Sequence, residues 1–123
     1  MKAKKHIEFD RVFAYITDGK TDILWFESED VMRRVGLFMV DLARSDEFKF
    51  EWNIDKDIEG EIVLAVAKIY GTEGISVFIR HNSHDQKIQF KNEKQMRRAG
   101  QCLIDLARIG GNEVEITDEI KDK

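Results

Sequence analysis

Proline is absent from this 123-residue chain, and cysteine occurs only once, as Cys102. A single cysteine excludes an internal disulfide, and without proline the ends of helices and strands lack a strong local signal. No apolar run approaches the roughly eighteen residues of a membrane-spanning helix, and no apolar signal core follows the basic N-terminus. We therefore expect a cytoplasmic protein without a membrane span.

Motifs of the common enzyme classes are also missing. The chain has no phosphate-cradling glycine loop, no nucleophile elbow and no metalloprotease signature. Its formal net charge of -4 weighs against nonspecific binding to nucleic acid or to an anionic membrane. These absences predict a noncatalytic protein that uses no cofactor.

The most informative feature that is present is a repeat. The segment MRRVGLFMVDLAR at 32–44 returns as MRRAGQCLIDLAR at 96–108, with eight of thirteen positions identical. In both copies the apolar residues recur with a period near 3.6, which predicts a helix with one buried face. Each copy also contains a glycine, Gly36 or Gly100. Glycine inside a helix costs about 1 kcal/mol relative to alanine, so we expect a close backbone approach at both, either where the two helices cross or where each helix accepts a bulky aromatic such as Phe50 or Trp52 from the sheet.

Apolar runs typical of strands surround both helices, and Asp18-Gly19 between two of them is typical of a hairpin turn. These patterns predict an α+β fold built from internally duplicated β-β-α-β(-β) units. The units are expected to form one antiparallel sheet, with the two helices packed about a pseudo-twofold axis. We expect one domain over 1–123, with repeat one at about 7–70 and repeat two at about 74–120.

Two arginine doublets recur at the start of the repeated helix. Guanidinium groups suit phosphate oxygens, so these arginines and the basic N-terminal arm support one hypothesis, a nucleic-acid-binding accessory protein. However, Glu29 precedes the first doublet by four residues, a spacing typical of ordinary ion pairs on a helix surface. We prefer the ion-pair interpretation. The candidate nucleic-acid contacts are Arg33, Arg34, Arg97 and Arg98.

Acidic residues concentrate in two segments. Positions 46–61 contain seven acids and two lysines, and positions 113–123 contain five acids and two lysines. Such a surface suits a basic protein partner, so our main hypothesis is a small interaction module of immunity, anti-defence or adaptor type. The alternative is that these charges only solvate the surface and guard edge strands. The acids predicted to contact a partner are Glu51, Asp55, Asp57 and Glu59.

The two helix copies differ on their outer flank. Leu37 and Phe38 stand where the second copy has Gln101 and Cys102. Together with Val31 they form a predicted apolar patch, and such patches mark interfaces. We expect this flank to be covered either by the N-terminal hairpin of the chain or by a second copy in a homodimer.

His81 and His84 fall in a turn beside Asp85, and these residue types bind transition metals. Two histidines on a polar loop make only part of a metal site, because further ligands and supporting hydrogen bonds are needed. The sequence alone leaves metal binding at this turn open.

Overall fold

The computed structural model describes residues 1–52, 64–82 and 84–117. The chain is an α+β protein with two helices and two four-stranded antiparallel sheets. Within the described residues, neither helix is long and apolar enough to cross a membrane. The elements follow in the order β1 (Lys2–Glu8), β2 (Arg11–Asp18), β3 (Lys20–Phe26), α1 (Glu29–Arg44), β4 (Lys49–Trp52), β5 (Leu64–Gly71), β6 (Gly74–His81), β7 (His84–Phe90), α2 (Glu93–Arg108) and β8 (Glu113–Thr117).

The strands form two sheets, with the orders β3-β2-β1-β8 and β4-β5-β6-β7. The chain divides into two compact units. The first consists of Met1–Leu37 and Arg98–Lys123, and the second of Phe38–Arg97. The expectation of one antiparallel sheet is wrong, because the described strands form two separate sheets. The strand after α1, β4, pairs with β5, whereas the strand after α2, β8, pairs with β1. Three strands precede each helix, where β-β-α-β(-β) units predict two.

Strand β1 occupies the segment that the sequence indicates as a basic arm, so the backbone of this segment is held in the first sheet. The strand pairs with β2 on one side and with β8 on the other. Its inward residues are Ala3, Lys5 and Ile7. The inward lysine interrupts the alternation of apolar and polar residues that would indicate a strand. The hairpin predicted at Gly19 is confirmed, with this glycine at a φ of 82° between β2 and β3.

Side-chain caps fix the start of each helix. The Val31 N–H donates to Oγ of Ser28 at 3.2 Å, and the Gln95 N–H donates to Oδ1 of Asn92 at 2.9 Å. The Gln95 side chain also accepts a hydrogen bond from the Lys91 N–H at 2.7 Å. These bonds satisfy amide groups that have no partner within the first helical turn.

The predicted buried faces of both helices are confirmed. An ideal Cβ on Gly36 would lie 2.6 Å from the carbonyl oxygen of Gly100 and 3.0 Å from Cβ of Leu103. A Cβ does not fit at these distances, so the expected close backbone approach is confirmed for Gly36. The helical residues that the period predicts as buried are Met32, Val35, Met39, Leu42, Met96, Ala99, Leu103 and Leu106, and all are fully buried.

A buried lysine holds the end of α1 in the second unit. Lys68 is 1% exposed, and its ammonium donates to the carbonyl oxygens of Leu42 at 2.5 Å and Ser45 at 2.6 Å. The rings of Phe48 and Tyr70 lie 5.9 and 5.2 Å from the same nitrogen. Because aligned peptide dipoles leave partial negative charge at the C-terminus of a helix, a cation there is stabilising.

Lys5 has the corresponding role in the first unit. It is fully buried, and its ammonium donates to the carbonyl oxygen of Ile109, just after α2, and to Oε2 of Glu29 at 2.9 Å. Lys5 and Lys68 occupy equivalent positions in the two sheets. Lys5 pairs with Ala14, the second inward residue of β2, and Lys68 pairs with Val77, the second inward residue of β6. Each helix therefore ends against a lysine from a central strand of its unit.

Candidate interaction face

The open face of the first sheet carries a cluster of large apolar side chains. Alternate residues of β2 and β3 face away from the core, and the register pairs Phe13 with Trp25 and Tyr15 with Ile23. Ile23 is 59% exposed, and the other three are half-buried. We call these four residues the aromatic face.

Charged residues border the aromatic face. The Arg11 guanidinium lies 4.8 Å from the centre of the Trp25 ring, within the range of a cation–π interaction. His6 places its Nδ1 3.0 Å from Oε1 of Glu113 and its Nε2 3.1 Å from Oε2 of Glu8. Acidic and basic groups alternate along this border, so it does not present charge of one sign.

The second sheet indicates that this arrangement of strands does not require aromatic side chains at the Phe13 and Trp25 positions. In the first sheet, the buried residues Val12 and Phe26 are paired at one end of β2 and β3, and the next pair, Phe13 and Trp25, faces outward. In the same place of the second sheet, the outward pair of β6 and β7 is Ser76 and Gln89. Both sheets have the same pattern of strand neighbours. Because polar residues suffice there, the apolar surface of the first sheet is a candidate for recognition.

The side chains of this face suit noncovalent binding. Trp, Tyr and Arg are the residue types that most often dominate the energy of protein interfaces, and the face with its border supplies one of each. Sequence reasoning missed the face, although a signal exists. In β2, Phe13 and Tyr15 alternate with apolar inward residues, so the strand is apolar on both sides.

One residue of the predicted apolar patch on α1 is buried within the chain, and the other two are half-buried. Val31 is only 5% exposed, so this residue belongs to the core and is not available to a partner. Leu37 and Phe38 are half-buried, and the Phe38 ring lies 5.7 Å from the ring of Phe50. The patch therefore retains two partly accessible residues of its predicted three.

Of the acids predicted to contact a partner, only Glu51 is described. It is exposed on β4 and forms an ion pair with Lys49. Asp55, Asp57 and Glu59 lie outside the described residues. The described residues therefore place one of the four predicted acids.

The arginine doublets show a different pairing from the predicted one. Arg33 donates to Oδ1 of Asp30 at 2.8 Å, three residues before it, whereas Glu29 binds buried Lys5. Glu93, which precedes the second doublet, accepts a hydrogen bond from the Tyr70 hydroxyl at 2.7 Å. The Glu29–Arg33 pair expected at a spacing of four is thus replaced by the Asp30–Arg33 pair at a spacing of three, and Glu29 and Glu93 each make a tertiary contact. Of the four arginines, Arg33, Arg34 and Arg98 are half-buried, and Arg97 is exposed.

The histidine turn does not assemble a metal site from the expected groups. His81 is 3% exposed at the end of β6, whereas His84 is exposed at the start of β7. The Asp85 carboxylate accepts two hydrogen bonds from Arg80, at 2.7 and 3.1 Å. These hydrogen bonds lower the pKa of the Asp85 carboxyl group below its ordinary value. Among the described residues, no group of three or more His, Cys, Asp and Glu side chains is placed to hold a metal ion.

Comparison of the chain with models of protein families, with curated proteins and with solved structures finds no match.

Proposed function

We propose that this chain is a small noncatalytic protein-binding module, of immunity, anti-defence or adaptor type, that binds its partner through the aromatic face. The supporting observation is the exposure of Ile23 beside Phe13, Tyr15 and Trp25, on a sheet whose counterpart has polar residues in the Phe13 and Trp25 positions. Burial of this apolar surface against a partner is favourable, because it removes the surface from water. The mixed charges at its border then set the orientation of the partner.

The proposal includes an acidic surface, a cytoplasmic location and a homodimer as one form of association. Exposed Glu113 and Glu115 on β8 support the acidic surface, and they lie opposite His6 and Lys4 of β1, the strand between β8 and the aromatic face. A basic partner is favoured at this edge. A second copy of the chain is an alternative partner, for which Leu37 and Phe38 on α1 supply partly accessible apolar surface.

We also propose that the chain arose by duplication of one β-β-β-α-β unit. The repeated helical sequence, the repeated element order and the equivalent buried lysines support this proposal. On this reasoning the copies span 2–52 and 64–117, instead of about 7–70 and 74–120. Packing of the two helices about a pseudo-twofold axis, within a single domain, remains part of the same proposal.

Co-purification from the cells that make the protein tests the proposed partner. The full chain is compared with a Phe13→Ser, Trp25→Gln variant, which places the residues of the second sheet on the first. The matched control is a Ser76→Ala, Gln89→Ala variant, which changes the equivalent positions of the other sheet. A captured protein is then purified and its affinity for each variant is measured by calorimetry.

We expect the control variant to keep its affinity and the aromatic-face variant to lose it by about 30-fold or more, which corresponds to the roughly 2 kcal/mol of an interface hot spot. Equal affinities of the parent chain and both variants would show that the aromatic face is not the binding site. Circular dichroism checks that each variant remains folded.

A second candidate function is binding of single-stranded nucleic acid. The observation that favours it is Lys4, which lies opposite Tyr15 in the register and places a cation beside an aromatic ring. Filter binding over a salt series tests this function, because contacts with phosphate weaken steeply as salt rises. Submicromolar binding at about physiological salt, lost when Lys4, Arg33, Arg34, Arg97 and Arg98 are changed to glutamate, would favour it over a protein partner.

A further inference from the structure

The open face of the second sheet contains a trough along β5. Ala65 and Ala67 form its floor, because these outward residues of an inner strand have short side chains. Lys49 on β4 borders one side, and Phe78 and Arg80 on β6 border the other. The cavity measures about 480 Å³, a volume typical of sites that bind ligands. We call it the β5 trough.

The β5 trough is locally basic on a chain of net charge -4. Its lining includes Lys49, Arg80, Lys87 and one acid, Asp85, and Lys49 forms an ion pair with Glu51 of β4. Arg80 already binds Asp85 through two hydrogen bonds. The Lys87 ammonium instead lies 5.7 Å from the centre of the exposed Phe78 ring. The trough therefore combines an apolar floor and a phenyl ring with a cation on its β7 side.

We propose that the β5 trough binds an extended acidic segment of a partner protein, in which one carboxylate lies close to a large apolar side chain. The apolar side chain packs on Ala65 and Ala67 against the Phe78 ring. A neighbouring carboxylate receives the Lys87 ammonium, since a charge-assisted hydrogen bond is stronger than a neutral one. This site lies on a different sheet from the aromatic face and does not depend on the function proposed for that face.

The charges favour an acidic peptide over a nucleic acid. Glu51 lies on the same outward row as Ala65, Arg80 and Asp85, so two carboxylates border the positions that a phosphate backbone would cross. A nucleic acid carries a negative charge on every phosphate and would meet these acids. A peptide can place its carboxylate at Lys87 and its apolar side chain on the alanine floor.

Fluorescence anisotropy of the full chain tests the site with three fluorescein-labelled probes. The first is a pentapeptide that contains leucine, tryptophan and a single glutamate, and the second has lysine in place of that glutamate. The third is a single-stranded DNA oligonucleotide. We expect the glutamate peptide to bind at least tenfold more tightly than either of the other probes.

Two variants of the trough are compared with a charge-matched control. Lys87→Glu reverses the proposed contact, and Ala67→Trp fills the floor. Lys94→Glu makes the same charge change at an exposed position of α2. We expect about a tenfold or larger loss of glutamate-peptide affinity for the first two and no change for the control.

Several results would overturn the site: no binding of the glutamate peptide, equal binding of both peptides, tighter binding of the oligonucleotide, or equal losses in Lys87→Glu and Lys94→Glu. If Ala67→Trp fails to fold, Lys87→Glu with its control still decides the question, because both changes are at exposed positions.

Discussion

Replacement of Gly36 by alanine tests whether the two helices require a close backbone approach. At an unconstrained helical position this change is stabilising by about 1 kcal/mol, because alanine has the higher helix propensity. At Gly36 the new Cβ would lie 2.6 Å from the carbonyl oxygen of Gly100. The obstacle is backbone and not the end of a flexible side chain, so α2 must shift to accommodate the methyl group.

The structure determines which of these two effects prevails. Overpacking of a well-packed core costs about 1–3 kcal/mol, which exceeds or equals the gain in propensity and leaves a net loss of about 0–2 kcal/mol for Gly36→Ala. Leucine adds more atoms against Leu103 and Ile104, so Gly36→Leu is expected to be the less stable variant. For a chain of this size, each 1 kcal/mol lowers Tm by about 4 °C.

Urea and thermal unfolding followed by far-UV circular dichroism measure the effect. Gly110→Ala is the matched control, because a Cβ built there meets no heavy atom within 4 Å. We expect this control to be neutral or slightly stabilised. If Gly36→Ala is as much as about 1 kcal/mol more stable than the parent, as propensity alone requires, the argument for a close approach is refuted.

Three further predictions concern single side chains. Lys68→Met removes the ammonium donor of the Ser45 carbonyl oxygen and one of the two donors of the Leu42 carbonyl oxygen, so the free energy of unfolding should fall by about 1–3 kcal/mol in urea titrations; Lys91→Met on the surface should change it by less than about 0.5 kcal/mol, and equal losses would contradict the proposed role. Leu37→Glu should lower Tm or convert a dimer to a monomer in sedimentation, and no change in either means that this flank is simply exposed. Asp85 has a lowered pKa through its hydrogen bonds from Arg80, so its stabilising effect is present above the pKa of the unfolded carboxyl group and is lost as pH falls through the lower folded value. Asp85→Asn should therefore be slightly less stable than the parent at neutral pH and equal to it in acid, and an unchanged difference across thermal melts at all pH values would refute this assignment.

The helices could be predicted from sequence because their signal is local. Met32, Val35 and Met39 recur with a helical period, and all three are fully buried. A period is set by the geometry of one element and does not require knowledge of its neighbours. The hairpin at Gly19 was predictable for the same reason, because its backbone conformation depends on a few adjacent residues.

Partners that are distant in sequence could not be predicted in this way. Glu29 on α1 has an arginine four residues later, but its carboxylate binds Lys5, which lies on strand β1. An exposed ion pair on a helix contributes only a few tenths of a kcal/mol, so a buried ammonium that needs an acceptor prevails. The division into two sheets has a similar origin, since no local pattern specifies that β4 pairs with β5.

A difference of one residue between the two hairpins explains why both buried lysines and the aromatic face were missed. In the β2–β3 hairpin, one residue lies between the last paired residues, Asp18 and Lys20. In the β6–β7 hairpin, two residues lie between His81 and His84. An alignment that matches the helices, at a separation of 64 residues, therefore sets Lys5 against Ile69 and not against Lys68. A shift of one residue moves every side chain of a strand to the opposite face. Such an alignment also sets outward Phe13 against buried Val77. The strand register instead relates Phe13 to Ser76, and this equivalence shows that the open face of the first sheet is aromatic where that of the second sheet is polar.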